Sequence, residues 1–355
     1  MIVPSRPFPA IGYILPKSGG QYRLPLAGMG FYSYGRFALL HGMIQLGLEP
    51  GDTVAVPAYF CESALQPLID YGFELMFVDV DDNMQLPLDA VKAVLASHEI
   101  KAVLLVHFFG FIQASRDDIV ALCQAESVKV VEDCGHSFLS CRGILNARLK
   151  ADAYIFSMRK ILPVADGGAL FLGEHAGDAA GFLRPAPGSL LADLPFLILR
   201  TIEEMVVKLT WPNLYGPEIG RLKVALSRIK KKMAKAERRG ALKANMPPPS
   251  YSLMRYLCSE PYLRHVAESR VLNYRKLSQA MAPMGMEAIA YDVFDNEVPQ
   301  VFPMLGPAKP LVSYLRKRGI GAYRWPGEEI PGAVKLNPSL YPNAIRLNES
   351  IACLP

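Results

Sequence analysis

The chain has 355 residues, a formal net charge of +5, 51% hydrophobic residues and 20% charged ones. This is enough apolar material for one large core or two smaller ones, and too much for an intrinsically disordered chain. No run approaches the roughly 18 consecutive apolar residues of a membrane span. The opening Met1-Ile-Val-Pro-Ser-Arg lacks the charged head and apolar core of an export signal, so a cytoplasmic location is expected. Six cysteines (Cys61, Cys123, Cys134, Cys141, Cys258 and Cys353) include no C-x-x-C pair. Zinc-ribbon and dithiol readings therefore fall away, no metal site is expected, and buried free thiols remain.

Taken in order, residues 35–175 alternate apolar runs with amphipathic stretches, the pattern of βαβ units and a mostly parallel sheet. Strands are expected at 53–57, 75–80, 102–107, 129–132, 153–156 and 169–172. Helices are expected at 37–46, 63–71, 88–97 and 115–126, with turn signals at Gly51-Asp52 and from Asp79 to Asn83. From about residue 181 the rhythm breaks: a Pro-rich opening, an apolar stretch at 190–211 and a basic stretch at 221–239 lead to Pro247-Pro-Pro249. A helix at 263–281, another at 311–318 and a strand at 319–323 then suggest a small α+β unit. The predicted organisation is a large α/β domain over 1–180, a variable insertion over 181–260 and a small C-terminal domain over 261–355.

The chemistry concentrates at the expected strand ends. Val130-Val-Glu-Asp-Cys-Gly-His136 puts Asp133 and His136 at the end of one strand. Phe156-Ser-Met-Arg-Lys160 puts Ser157 and Lys160 at the end of the next, and Asp166-Gly-Gly168 follows. Ligands of open α/β sheets bind at these carboxyl ends. A lysine there can form a Schiff base with an aldehyde, and an aspartate facing a pyridine nitrogen keeps that ring protonated and electron-withdrawing. Pyridoxal 5′-phosphate (PLP) is the cofactor that needs this set. Gly35, just before the helix in Tyr34-Gly-Arg-Phe-Ala-Leu-Leu40, would let backbone amides reach a phosphate. Each signal alone has a bland reading: a turn at Gly35, a cap at Ser157, a structural pair at Asp133 and His136. Their convergence favours the functional one.

These segments, in this order, resemble the DegT/DnrJ/StrS family of PLP-dependent sugar aminotransferases. Leu48-Glu-Pro-Gly-Asp-Thr-Val-Ala-Val-Pro57 is similar to that family's G-D-E-V-I-V-P segment, and Tyr71-Gly-Phe-Glu-Leu-Met-Phe-Val-Asp-Val80 to its A-G-A-x-P-V-F-V-D-V. Val106-His-Phe-Phe-Gly110 is similar to V-H-L-Y-G, and Glu132-Asp-Cys-Gly-His136 to E-D-A-A-Q/H. The resemblance implies a fold type I α/β architecture: a large domain with a mostly parallel sheet flanked by helices, plus a small C-terminal α+β domain. It implies that Lys160 carries the cofactor, Asp133 pairs with the pyridinium nitrogen and His136 contacts the ring oxygen. Ser157 and the Gly35-Arg36 backbone would hold the phosphate. It further implies transamination of a keto sugar, nucleotide-linked, with L-glutamate as donor, in glycan or polysaccharide biosynthesis, by a homodimer. A lysine at 160, where the family's dehydratases carry histidine, favours transamination over dehydration.

Three departures stand out. Cys61 falls at the family's ring-stacking position, leaving Phe60, or else Tyr59, to cover the cofactor. The turn from Ser157 to Lys160 is shorter than the family pattern, and the chain stops at Leu354-Pro355, where an L-P motif leads the family into further structure. Basic residues from Arg221 to Arg239 alternate with apolar ones at helical spacing, as in a helix lying on anionic lipid or in a solvated helix. Without interleaved aromatics they do not suggest nucleic acid. Tyr323-Arg324-Trp325-Pro326-Gly327 reads as a surface turn, with substrate contact by Arg324 and Trp325 as the alternative. The rival functions are a PLP enzyme acting on a non-sugar ketone and a non-catalytic PLP-binding, membrane-associated module. No G-x-G-x-x-G supports a nicotinamide enzyme.

Overall fold

A computed structural model of the protein describes residues 29–140, 149–162, 167–173, 260–284, 289, 297–318 and 320–355. Its larger sheet contains β1 (Gly30–Tyr32), β2 (Thr53–Pro57), β3 (Glu74–Val78), β4 (Ile100–Val106), β5 (Lys129–Cys134), β6 (Ala153–Ser157) and β7 (Gly168–Leu172). Their order is β1-β7-β6-β5-β4-β2-β3. The four pairings from β6 through β3 are parallel, while β7 pairs antiparallel with both β6 and β1. Because β2 is flanked by β3 on one side and β4 on the other, the direction of winding reverses between β2 and β4. That reversal opens a crevice at the carboxyl ends of the strands.

Helices α1 (Gly35–Gln45), α2 (Glu62–Tyr71), α3 (Leu88–Ser97) and α4 (Arg116–Ala125) connect these strands. Strand β4 is apolar at almost every position because both of its faces are covered. Leu104 and Val106 enter one core cluster, and Val103 and Leu105 enter the other on the opposite face. Helix α1 is buried over most of its length, with Gly42 set against Leu170 and Ile155 of β7 and β6. Its first turn therefore ends at the carboxyl end of β6.

Helix α5 (Glu260–Met281) precedes a second, three-stranded antiparallel sheet ordered β8-β10-β9, made from β8 (Phe302–Leu305), β9 (Tyr323–Arg324) and β10 (Ile351–Leu354). Helices α6 (Ala308–Lys317), α7 (Gly332–Leu336) and α8 (Pro342–Ser350) accompany it. The strand expected at 319–323 is corrected to Tyr323–Arg324, where the backbone pairs with Ala352 and Cys353 of β10. The larger sheet reaches across to this region with polar acceptors. Asp79 accepts from the backbone N–H groups of Asn343 (3.0 Å) and Ala344 (2.9 Å) in the first turn of α8. Glu62 accepts from Gly332 N–H (3.1 Å) at the start of α7, and the backbone N–H of Gln300 donates to the Phe109 carbonyl (2.7 Å). Phe302, Met304, Ile351 and Cys353 join the core cluster that holds Leu104 and Val106.

The basic stretch 221–239 and Asp166 lie outside the described residues. Among the described residues no helix is long and apolar enough to cross a membrane.

Candidate active site

The strand ends bring the expected residues together around one glycine. A Cβ built on Gly135 would stand 2.7 Å from Asp133 Oδ1, 3.4 Å from Lys160 Nζ and 3.5 Å from Ser157 Cβ. A Cβ on Gly35 would likewise stand 3.4 Å from Ser157 Cβ. Asp133 and Gly135 come from the end of β5, Ser157 closes β6, and Lys160 ends the single 3-10 turn Met158–Lys160. The first turn of α1 thus faces the hydroxyl of Ser157, with the aspartate and lysine beyond it.

The electrostatics follow from burial. Desolvation pushes the Asp133 carboxyl up; Lys160, the Gly135 N–H at 2.6 Å and His107 all oppose it. Burial pushes the Lys160 ammonium down from its ordinary value, Asp133 and Cys61 pull it up, and Arg159 and Arg36 push it further down. A larger share of neutral amine makes Lys160 a better nucleophile and base. Burial first, and Lys160 second, hold His136 well below the usual imidazole range. Its Nδ1 accepts from the Phe109 N–H at 3.4 Å, which assigns the ring proton to Nε2 and leaves Nε2–H as a donor.

His136 is walled by aromatic rings. Phe109 stacks on it at 5.4 Å with planes 7° apart, and Trp325 meets it edge-on at 4.8 Å. Trp325 is also ringed by Tyr59 (5.3 Å), Phe60 (6.2 Å), Phe108 (5.6 Å) and Phe109 (5.6 Å), and Tyr59 O–H donates to its backbone carbonyl. The surface-turn reading of residues 323–327 is therefore corrected. Trp325 is inserted between the strand-end loops because the aromatic cage offers apolar area that water cannot match. Phe60, expected over the cofactor, and Tyr59 are both buried in this cage.

Cys61 is engaged by polar neighbours. Its thiol donates to Glu329 at 2.8 Å, Ser63 O–H donates to the same carboxylate oxygen at 2.6 Å, and burial pushes the thiol pKa up. Arg36 and Arg159 were not foreseen as a pair. Their guanidinium carbons lie 5.0 and 4.8 Å from the centroid of the same Tyr34 ring, at the start of α1. Arg159 was legible only as the residue before Lys160 in a shortened turn.

Behind the site, His107, Glu132 and Cys134 place ligand-type atoms within 4.8 Å of one another. Glu132 is already engaged, accepting from Arg116 Nη2 at 2.8 Å and Nε at 3.2 Å and from His107 Nε2 at 2.7 Å. Gln113 N–H donates to His107 Nδ1 at 3.1 Å. With both His107 nitrogens and both carboxylate oxygens paired, the group is an ion-paired core rather than a cation site.

The profile of the DegT/DnrJ/EryC1/StrS aminotransferase family matches residues 32–180. Over those residues the chain is similar to that family. It is 31% identical over 163 residues to the protein MosB of Rhizobium meliloti, covering 44% of this chain and 32% of MosB. It is 28% identical over 131 residues to a UDP-N-acetyl-3-dehydro-alpha-D-glucosamine 3-aminotransferase of Acidithiobacillus ferrooxidans, covering 35% of each chain. The matched stretch thus spans about a third of these relatives.

The fold extends further than the sequence match. A family aminotransferase from Brucella abortus superposes with a TM-score of 0.60 at 18% identity, over 94% of this chain and 81% of that one. NtdA from Bacillus subtilis, solved with its cofactor PMP, gives 0.60 at 14% identity, over 92% and 68%. The architecture is the fold type I aminotransferase fold.

Proposed function

We propose that this protein is a PLP-dependent aminotransferase that aminates a keto sugar, nucleotide-linked, with L-glutamate as donor. The observation that carries this reading is the convergence of Asp133, Ser157 and Lys160 on Gly135, with the neutral, donor-ready His136 one residue further on. These groups fit PLP at each of its polar positions. Asp133 would face the ring nitrogen, and His136 Nε2–H would donate to the ring oxygen. Ser157 Oγ and the first N–H groups of α1, at Gly35 and Arg36, would hold the phosphate. When bound, PLP supplies an aldehyde carbon and a pyridinium ring that withdraws electrons from the carbon next to the substrate nitrogen. Lys160 would hold PLP at its aldehyde through Nζ and, once the donor's amine has taken its place there, would carry a proton between the donor carbon and the cofactor carbon, a role its depressed basicity suits. Asp133, partly buried at the end of β5, would keep the ring nitrogen protonated.

The keto-sugar class is supported by the relatives: one is named for a dehydro-glucosamine substrate, and another, matched at 31% identity over 136 residues, is a spore coat polysaccharide biosynthesis protein of Bacillus subtilis. A homodimer in the cytoplasm, and the division near residues 180 and 260, belong to the same proposal. The second sheet and its helices, with strands of their own, support the C-terminal part of that division.

The test is to incubate the purified protein with PLP, reduce with borohydride and map the labelled lysine. Label on Lys160, colour bleached by glutamate and restored by a nucleotide keto sugar are the expected results. Lys160→Ala should lose label and turnover together; normal turnover in that variant would overturn the assignment.

A further inference from the structure

The shortened turn after β6 has a chemical consequence. With Met158–Lys160 forming one 3-10 turn, Arg159 is carried beside Lys160 and its guanidinium reaches the Tyr34 ring at 4.8 Å. Arg36, the second residue of α1, brings its own guanidinium to 5.0 Å from that ring and donates from Nη1 to the Ser63 carbonyl at 3.3 Å. Two planar cations thus share one aromatic ring at the residue that immediately precedes Gly35. Both guanidinium groups oppose the positive charge of Lys160, which Asp133 favours. Two guanidinium groups beside the amide-bearing first turn of a helix, with Ser157 Oγ against that turn, suit a dianion. A helix terminus and one hydroxyl alone would supply only neutral donors.

We propose that Arg159, together with the Arg36 side chain, clamps the cofactor's phosphate, so that in this chain guanidinium charge reinforces the backbone cradle. The inference rests on the PLP reading above and adds a residue to it. Guanidinium binds phosphate through a rigid fork of N–H donors, which an ammonium reproduces only in part. Tyr34 is the platform that keeps the two forks from swinging into solvent.

The experiment compares PLP with pyridoxal, the same aldehyde without phosphate, by absorbance titration of the cofactor-free full-length protein. Wild type should bind PLP far more tightly. Arg159→Ala should weaken PLP roughly tenfold to a hundredfold while leaving pyridoxal unchanged, and Arg159→Lys should recover part of the loss. Inorganic phosphate should compete with PLP in the wild type and much less in Arg159→Ala, whose melting temperature without cofactor should match the wild type.

Equal weakening of PLP and pyridoxal would mean a structural role, and unchanged PLP binding would mean none; either overturns the clamp. So does a variant that keeps its PLP affinity but needs far more glutamate to bleach the bound cofactor, since the anion held would then be the donor's carboxylate. A wild type that binds neither aldehyde would sink the PLP assignment itself, and the clamp with it.

Discussion

His136 is held neutral by its surroundings, and this gives it a measurable signature. Burial and the nearby Lys160 keep its pKa well below the ordinary 6.5. As pH falls through about 6.5 the unfolded chain takes up a proton at this position that the native state refuses. The histidine therefore costs stability below that pH, by up to about 1.4 kcal/mol per pH unit, and costs nothing above it. His136→Gln keeps an acceptor for Phe109 N–H and a donor toward the cofactor but cannot titrate. Urea unfolding at several pH values from 7.5 down to about 5.5 should show the variant gaining on the wild type as pH falls; a constant difference would refute the buried neutral imidazole. Asp133→Asn tests the other end of the ring. The carboxamide oxygen can still accept from Gly135 N–H, now at 2.6 Å, so PLP should still bind. Without the negative charge the ring nitrogen loses its proton, and transamination should fall roughly a hundredfold or more. Single-turnover bleaching by glutamate would measure it.

At the scale of elements, legibility divides by how local the signal is. The strand at 53–57 and the helix at 88–97 appear with the bounds their periodicity predicts, and Asp133, Ser157 and Lys160 fall at strand ends as expected. These elements carry their pattern in consecutive residues. The three-residue β1 and the two-residue β9 are too short to hold a period. They exist because β7 and β10 offer paired edges from distant parts of the chain. Trp325 escaped for the same reason, since its partners Tyr59, Phe108 and His136 lie about 190 to 270 residues away in sequence and no local rule joins them.

Asp79 shows how one residue can carry both scales. Its place after β3 reads as a turn, yet its carboxylate serves as the acceptor for the first turn of α8, taking N–H bonds from Asn343 and Ala344. Asp79→Ala leaves those donors without their carboxylate and removes a favourable charge from a helix N-terminus. The expected loss is about 1–2 kcal/mol, as for a deleted helix cap. Asp79→Asn should recover most of it in chemical denaturation, because the carboxamide oxygen can still accept; an Asn variant as unstable as the Ala variant would argue against the cap.

For the molecule as a whole, the question is what ties the second sheet to the end of the first that carries Asp133 and Lys160. The contact runs through residues 108–110 after β4. Phe109 stacks on His136 while its carbonyl accepts from Gln300 N–H, and Ser140 O–H donates to the Gly110 carbonyl while its oxygen accepts from Val298 N–H at 2.9 Å. Gly110 has φ of 103°, and a Cβ there would stand 2.1 Å from the Val298 carbonyl oxygen and 2.9 Å from Gln300 N. Gly47 has a similar backbone, φ of 85°, but its Cβ would meet nothing within 4 Å. The two glycines separate backbone strain from packing. Gly47→Ala should cost only the strain of a left-handed alanine, about 1 kcal/mol. Gly110→Ala adds a backbone clash that displaces 298–300 and breaks both bonds to it, so a loss of roughly 3 kcal/mol or more is expected. Because Phe109 also orients His136, Gly110→Ala should weaken PLP binding under conditions where the protein is still folded, whereas Gly47→Ala should not. Equal losses of stability in the two variants, or PLP binding that survives Gly110→Ala unchanged, would show that the second sheet is merely attached to the site and does not shape it.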